Sequence, residues 1–322
     1  MEGQDIYTLA GGWEWYDVRV GGFKSELIGE WKIHDPYTME WLDLAATLEG
    51  RDYLSVRYKD GVEPVLMGSL LYVVTEEGKN QQIPEQFYFY ADGSVLITIN
   101  LDDHTRRSMA KSERVSMLHQ CERPVEGLFV LARTILHYYH TGMDRFEVNL
   151  RQVEARMRER NRRTLMDAIL TARFELLDWS NRFIPFQELL AASREGYHDS
   201  LDDSRAFNQL QYRVERLGQL IHHYEREIDT LVSIDDAISG FRGNEIMKTL
   251  TIFTVVFTPA TVIGAVWGMN FENLPGIETP WGFIVVTGIT LAWMGGMYWW
   301  LRTKGWTGDL LRVKARKKNK NI

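Results

Sequence analysis

Apolar and polar positions change period three times along this chain, and each period predicts a different kind of element. Over residues 5–100 the pattern alternates. Ile6–Leu9, Trp13–Val20 and Ser94–Ile99 place apolar side chains at every second position, as half-buried strands do. Val65–Val74 is apolar throughout but short and broken by Gly68, which predicts a buried core strand rather than a membrane span. Gly11-Gly12, Gly21-Gly22 and Asp92-Gly93 mark turns, and Trp13, Trp15, Trp31 and Trp41 are expected to pack.

After Pro124 the period becomes helical. Leu128, Ala132, Ile135, Tyr139, Phe146, Leu150, Val153 and Met157 predict a helix from Val125 to about Arg163, with Gly142 as a candidate break. A second helix is expected over Leu165–Trp179, with Pro185 bounding the next segment. Gly196–Asp203 is a polar turn with N-cap residues. Phe207, Leu210, Val214, Leu217, Ile221, Tyr224, Ile228 and Leu231 then step alternately by three and four, a coiled-coil seam. The seam is expected to pack within the protomer and to supply part of an association surface.

No proline interrupts Pro185 to Pro259, so one helix is expected from about Ser204 to Trp267, on the order of 95 Å long. Gly240 and Gly243 mark a hinge or a close helix contact just before its apolar end. From Thr249 to Trp267 the helix carries no charge and is long enough to cross about 30 Å of hydrocarbon. Its polar residues are grouped. Thr251, Thr254, Thr258 and Thr261 share one face, which continues through Met247 and Asn244 upstream and Ala265 downstream. Membrane threonines serve either as interhelical glue or as the lining of a wet path, and the stripe alone leaves both open.

Trp281–Leu301 predicts a second span, with Gly288, Ala292 and Gly296 as a small-residue packing face and Trp281, Trp299 and Trp300 at the interfaces. The loop 268–280 between the spans has no Lys or Arg, while eight occur beyond residue 301. The positive-inside rule therefore places both termini in the cytoplasm and the loop outside. From residue 246 onward there are nine basic and three acidic residues. The remaining 28 basic and 41 acidic residues give residues 1–245 a formal charge of −13. That balance argues against nucleic acid as a partner and tolerates divalent cations. The one cysteine, Cys121, excludes an internal disulfide and a Cys-rich zinc site, and suits a reducing compartment. Residues 1–245 are expected to remain in the cytoplasm, because the N-terminus lacks a signal-peptide pattern. No phosphate loop, nucleophile elbow or His-Glu-x-x-His helix is present, so an enzyme is not expected. The pairs His137/His140 and His222/His223 lack a third ligand.

The first span ends in Gly268-Met269-Asn270, followed by Phe271-Glu272. With the Asn-Glu-x-Met-Lys-x-Leu-Thr segment starting at Asn244 and the mid-span Pro259, this resembles the CorA family of divalent-cation channels over residues 240–304, and more weakly before that. Trp267 departs from the family's usual tyrosine, and Arg302 and Lys304 stand apart from the later basic cluster Lys314–Lys320.

The resemblance implies a homopentamer in the cell membrane, its first span lining the pore and its second lying outside it. The implied fold is an α+β cytoplasmic domain with a long stalk helix, followed by a two-helix transmembrane hairpin. The expected segments are an α/β domain over 1–123 and a helical, coiled-coil stalk over 124–245. Spans at about 249–267 and 281–301 fall within 246–301, and a basic tail occupies 302–322. Gly268, Met269 and Asn270 would form the filter, and Glu272 and Glu278 an acidic mouth. Asn244, Met247, Leu250, Thr251, Thr254, Thr258, Thr261 and Ala265 would line the pore, with an apolar constriction at Met247 and Leu250. Pro259 would free a carbonyl as a further pore-facing acceptor.

No cofactor is expected. Mg2+ is the expected cargo, with Co2+ and Ni2+ as further candidates, and also the expected regulatory ion. The candidate sensors are Asp229, Asp235, Asp236, Glu225, Asp199, Asp202 and Asp203. The alternatives are a zinc transporter of the same superfamily and a membrane-anchored coiled-coil scaffold that conducts nothing.

Overall fold

The computed structural model describes residues 3–20, 36–47, 50–75, 82–159, 163–269 and 279–306. Gly21-Gly22, Trp31, Asn270, Glu272, Glu278 and the basic tail from 307 lie outside them. The chain divides into two units, Met1–Val232 and Ser233–Ile322.

The first unit is built on a six-stranded sheet. β1 (Gly3–Thr8), β2 (Glu14–Arg19), β3 (Tyr53–Lys59), β4 (Glu63–Thr75), β5 (Gln82–Ala91) and β6 (Val95–Ile99) lie in the order β1-β2-β6-β5-β4-β3. All pairings are antiparallel except β2 with β6, where Trp15 stands opposite Leu96. Both faces of the sheet are covered, which is why Val65–Val74 is apolar at successive positions on either side of Gly68 and Ser69 rather than alternating. On one face Leu66, Leu70, Tyr72, Phe87 and Phe89 join the helical core. On the other, Val65, Met67, Tyr88 and Tyr90 pack with Trp41, Leu42 and Ala45 of α1 (Pro36–Thr47). The chain then passes through α2 (Asp103–Met109) and α3 (Ser112–His119) into the long helices.

α4 (Pro124–Glu159) runs through Gly142 without a break. The glycine is there for space: a Cβ at 142 would lie 2.3 Å from the Trp179 ring. That ring is buried and meets Tyr139 edge-on at 5.3 Å. Gly142→Val is expected to cost about 1–3 kcal/mol by overpacking. Gly240→Ala, with nothing within 4 Å, is expected to stabilise by about 1 kcal/mol. Thermal unfolding of the two variants in detergent checks both signs.

α5 (Arg163–Tyr197) corrects one expectation. Pro185 lies inside it and bounds nothing. Phe183, Phe186 and Leu189 around the proline are buried in the core, and the Tyr139 hydroxyl donates to the Arg182 carbonyl at 2.8 Å, in the turn the proline disturbs. The bond the ring removes is the one to the Asn181 carbonyl; packing of the buried flanking residues offsets that loss, and the Tyr139 hydroxyl holds the neighbouring carbonyl of Arg182.

A 3-10 turn at His198–Leu201 leads to α6 (Arg205–Trp267), whose first turn is capped by Ser204 Oγ accepting from the Phe207 amide at 3.4 Å. All eight seam residues, Phe207 to Leu231, are buried in the protomer's own core, for example Phe207 against Phe129 and Tyr224 against Phe146. The seam is therefore intramolecular, and it offers no surface to another copy. α6 continues through Gly240 and Gly243, and among the described residues no close neighbour explains either glycine.

The second unit contains the end of α6 and α7 (Gly282–Thr303). Each contains a stretch long and apolar enough to cross a membrane.

Candidate ion pathway

Within the second unit α6 shows two unlike faces. Ile252, Val255, Val256, Pro259, Ala260, Ile263 and Trp267 are partly covered and recur with helical spacing. Asn244, Met247, Leu250, Thr251, Thr254, Thr258, Thr261 and Ala265 are all exposed. At 3.6 residues per turn these eight fall within an arc of roughly 120°, centred about 150° away from the covered stripe. The protomer thus leaves uncovered the stripe that carries the hydroxyls.

Those hydroxyls are held in place by the helix itself. Thr251 Oγ1 donates to the Met247 carbonyl at 2.8 Å, Thr254 to Leu250 at 2.9 Å, Thr258 to Thr254 at 2.5 Å and Thr261 to Phe257 at 3.1 Å. A hydroxyl has one proton and two lone pairs. With the proton directed back along the helix, the oxygen presents acceptor capacity outward. A row of outward acceptors suits a species that only donates, as the water shell of a metal cation does.

Pro259 does not serve as expected. The carbonyl it deprives of a donor is that of Val255, and Val255 and Pro259 both lie in the partly covered stripe. Gly268 follows the last residue of α6. The helix ends at Trp267, yet the Gly268 amide still bonds the Gly264 carbonyl at 2.9 Å, without a left-handed backbone. A Cβ at 268 would stand 3.0 Å from that carbonyl, so the glycine permits a tight final turn. Met269, half exposed, comes next with a bond to Val266 at 3.3 Å.

On α7 the partly covered positions are Gly282, Val286, Thr290, Met294 and Met297, ending at buried Leu301. Gly288, Ala292 and Gly296 lie on the opposite face, exposed, and a Cβ at Gly288 or Gly296 would meet nothing within 4 Å. Among the described residues the small-residue face therefore makes no close helix contact within the chain. The larger Val286, Thr290 and Met294 occupy the covered side instead.

The candidate sensing acids are dispersed. Asp229 pairs with Arg173 at 3.2 Å, Glu225 with His222 at 2.9 Å, and Asp202 with Arg194. Asp235 is buried and Asp236 exposed. Asp203 lines a cavity of about 640 Å³ near the start of α6, and the Asp199 side chain lies outside the described residues. Among the described residues no three metal-ligating groups come together. The fold does bring together one pair the sequence did not show. Glu227 of α6 is raised above the usual carboxylate range by burial and by Glu154 of α4. These residues are distant in sequence, and only the packing of the two helices puts them side by side.

The family model for CorA-like Mg2+ transporter proteins matches residues 42–303. The chain is 30% identical over 273 residues to the magnesium transport protein CorA of Bacillus subtilis, covering 83% of this chain and 84% of that one. Its fold is similar to the complete structure of the CorA magnesium transporter from Methanocaldococcus jannaschii, with a TM-score of 0.65, 21% identity and 92% of each chain covered. The cytoplasmic domain of ZntB from Vibrio parahaemolyticus is also similar in fold, with a TM-score of 0.52 and 13% identity, over 72% of this chain and 88% of that one. The α/β unit, the long helix, the two apolar spans and the matched segment agree: this chain belongs to the family of CorA-like Mg2+ transporters.

Proposed function

We propose that several copies of this chain, five by resemblance to the family, ring an axis in the cell membrane, and that hydrated Mg2+ passes inward along their α6 stripes. One observation carries this reading: the row of hydroxyls on the charge-free part of α6 that shares a face with Asn244 is left exposed by the protomer and leads to Gly268-Met269-Asn270. Mg2+ gives up its water reluctantly and demands near-octahedral geometry. A path of acceptors takes the ion with its shell intact, each threonine oxygen receiving a hydrogen bond from a first-shell water. The Asn270 carboxamide oxygens would act likewise at the outer end, and Glu272 and Glu278 would concentrate cations there.

No energy coupling is required, since a dication moving inward down 100 mV gains about 4.6 kcal/mol. Met247 and Leu250, exposed on the same stripe, would close the inner end by dewetting. Because α6 belongs to both units as one helix, ion binding to cytoplasmic carboxylates can bias that constriction. Cytosolic Mg2+ held between copies would keep it shut.

Thr254→Val together with Thr258→Val tests the stripe. Valine keeps the shape and removes the outward acceptors. Each hydrogen bond lost is worth about 1 kcal/mol, so uptake into liposomes is expected to fall about tenfold or more. Unchanged uptake would assign these hydroxyls to packing. Competition by Zn2+ and Co2+ in the same assay ranks the ions. Zn2+ outcompeting Mg2+ would favour the zinc branch.

A further inference from the structure

The soluble unit carries a row of arginines that its own acids do not neutralise. Arg114 of α3, Arg133 of α4, and Arg213 and Arg216 of α6 lie along the seam where α4 meets α6, and among the described residues each is bonded only to a neutral acceptor. Arg133 Nη1 donates to Gln209 Oε1 at 2.5 Å, Arg213 Nη1 to the Arg133 carbonyl at 2.9 Å and Arg114 Nη1 to Thr134 Oγ1 at 2.7 Å. Arg216 Nη2 meets His140 Nε2 at 2.5 Å. Glu113 acts on Arg133 and Asp144 on His140, but neither closes an ion pair with the row. The uncompensated field is evident at Arg213, pushed down to about 10 by burial and then by Arg133, Arg216 and Arg114. Burial and these arginines also lower His140. In a chain whose residues 1–245 carry a formal charge of −13, four adjacent guanidinium groups without a carboxylate lack a partner from elsewhere.

The surface around the row indicates what kind of partner. Gln209, Tyr212, Arg213 and Arg216 form one continuous face of α6. Tyr212 is 70% exposed, and Val115 beside Arg114 is also exposed. Exposed tyrosine and arginine together are the composition of a protein–protein contact, where aromatic and guanidinium groups dominate. A small oxyanion would take the charges and leave Tyr212 in water. A second copy of this chain supplies both the carboxylates and the covering surface, and the buried seam of α6 leaves that task to another face.

We propose that Arg114, Arg133, Arg213 and Arg216 receive carboxylates of a neighbouring copy, with Tyr212 buried in the same contact. The proposal rests on the multi-copy pore reading and adds to it the cytoplasmic surface that joins the copies.

The full-length chain in detergent, with a benzophenone amino acid in place of Tyr212, tests it. Illumination is expected to give a two-chain adduct whose second peptide contains Asp or Glu. Arg216→Glu, an exposed substitution that leaves the fold intact, is expected to lower the adduct yield at least tenfold, and Arg216→Lys to retain most of it. Native mass spectrometry of the same samples counts copies. Adducts confined to one chain in an intact multi-copy assembly overturn the proposal and leave the pore reading standing. Saturable binding of tripolyphosphate, lost in Arg216→Gln and without a two-chain adduct, overturns it in favour of a free-anion site. A single-copy particle overturns both.

Discussion

Asn270→Ala is expected to reduce magnesium uptake at least about a hundredfold while the folded assembly persists. The carboxamide offers an acceptor oxygen, and alanine offers none. In a ring of copies each substitution removes one acceptor for the ion's own water. Hydrogen bonds to charged groups contribute about 1.5–3 kcal/mol each, and a hundredfold loss needs only about 2.7 kcal/mol, so losing two suffices. Fold and assembly depend on the α/β core and the spans, and Asn270 falls in sequence between α6 and α7 and belongs to neither, so thermal stability and copy number should stay as in the parent. Failure of the variant to rescue a magnesium-requiring, transport-deficient strain, with normal membrane expression, is the expected readout. Full rescue would remove the Asn270 carboxamide from the mechanism while showing that the chain still transports, which a non-conducting scaffold could not do.

Arg106→Leu is expected to destabilise the soluble unit by about 3–5 kcal/mol. Asp17 of β2 is 1% exposed, and Arg106 Nε of α2 donates to its Oδ2 at 2.5 Å. Thr98 Oγ1 donates to the other oxygen at 3.1 Å and accepts from Trp15 Nε1 at 3.0 Å. Removing the arginine leaves a buried carboxylate with one neutral donor from a side chain, which is the costly half of breaking a buried pair. Adding Asp17→Asn to Arg106→Leu removes the charge and is expected to recover part of the loss. Denaturant unfolding of the single and double variants measures the coupling. Equal stability of Arg106→Leu and the parent would show that water or another group replaces the guanidinium.

How much of this was legible in the sequence differs by element. The hydroxyl stripe, the two spans and the buried seam were, because helical period is local and the membrane permits few solutions. Gly142 read as a break and proved a space for Trp179, because the residue that fills it comes from another helix. Pro185 read as a boundary, because a proline's local cost is visible and the packing that offsets it is not. The small-residue face of α7 read as a packing surface and is exposed in the protomer, since composition says which face can approach closely and not what approaches it. Asp17 with Arg106, Glu154 with Glu227, and the arginine row are joined only by tertiary structure, across separations that no motif spans.

Cysteine accessibility along α6 tests the wet stripe most directly. The native Cys121 does not interfere, since it is buried and its thiol is pushed up to about 12 by that burial and by Glu126. Single cysteines placed from 251 to 263 in the full-length chain in liposomes are treated with a charged, membrane-impermeant thiol reagent, and modification and Mg2+ flux are followed together. The account predicts modification and block at 251, 254, 258 and 261, and none at 252, 256, 259 and 263. Modification at the second set with protection of the first would contradict it, because water would then run along the opposite side of the helix.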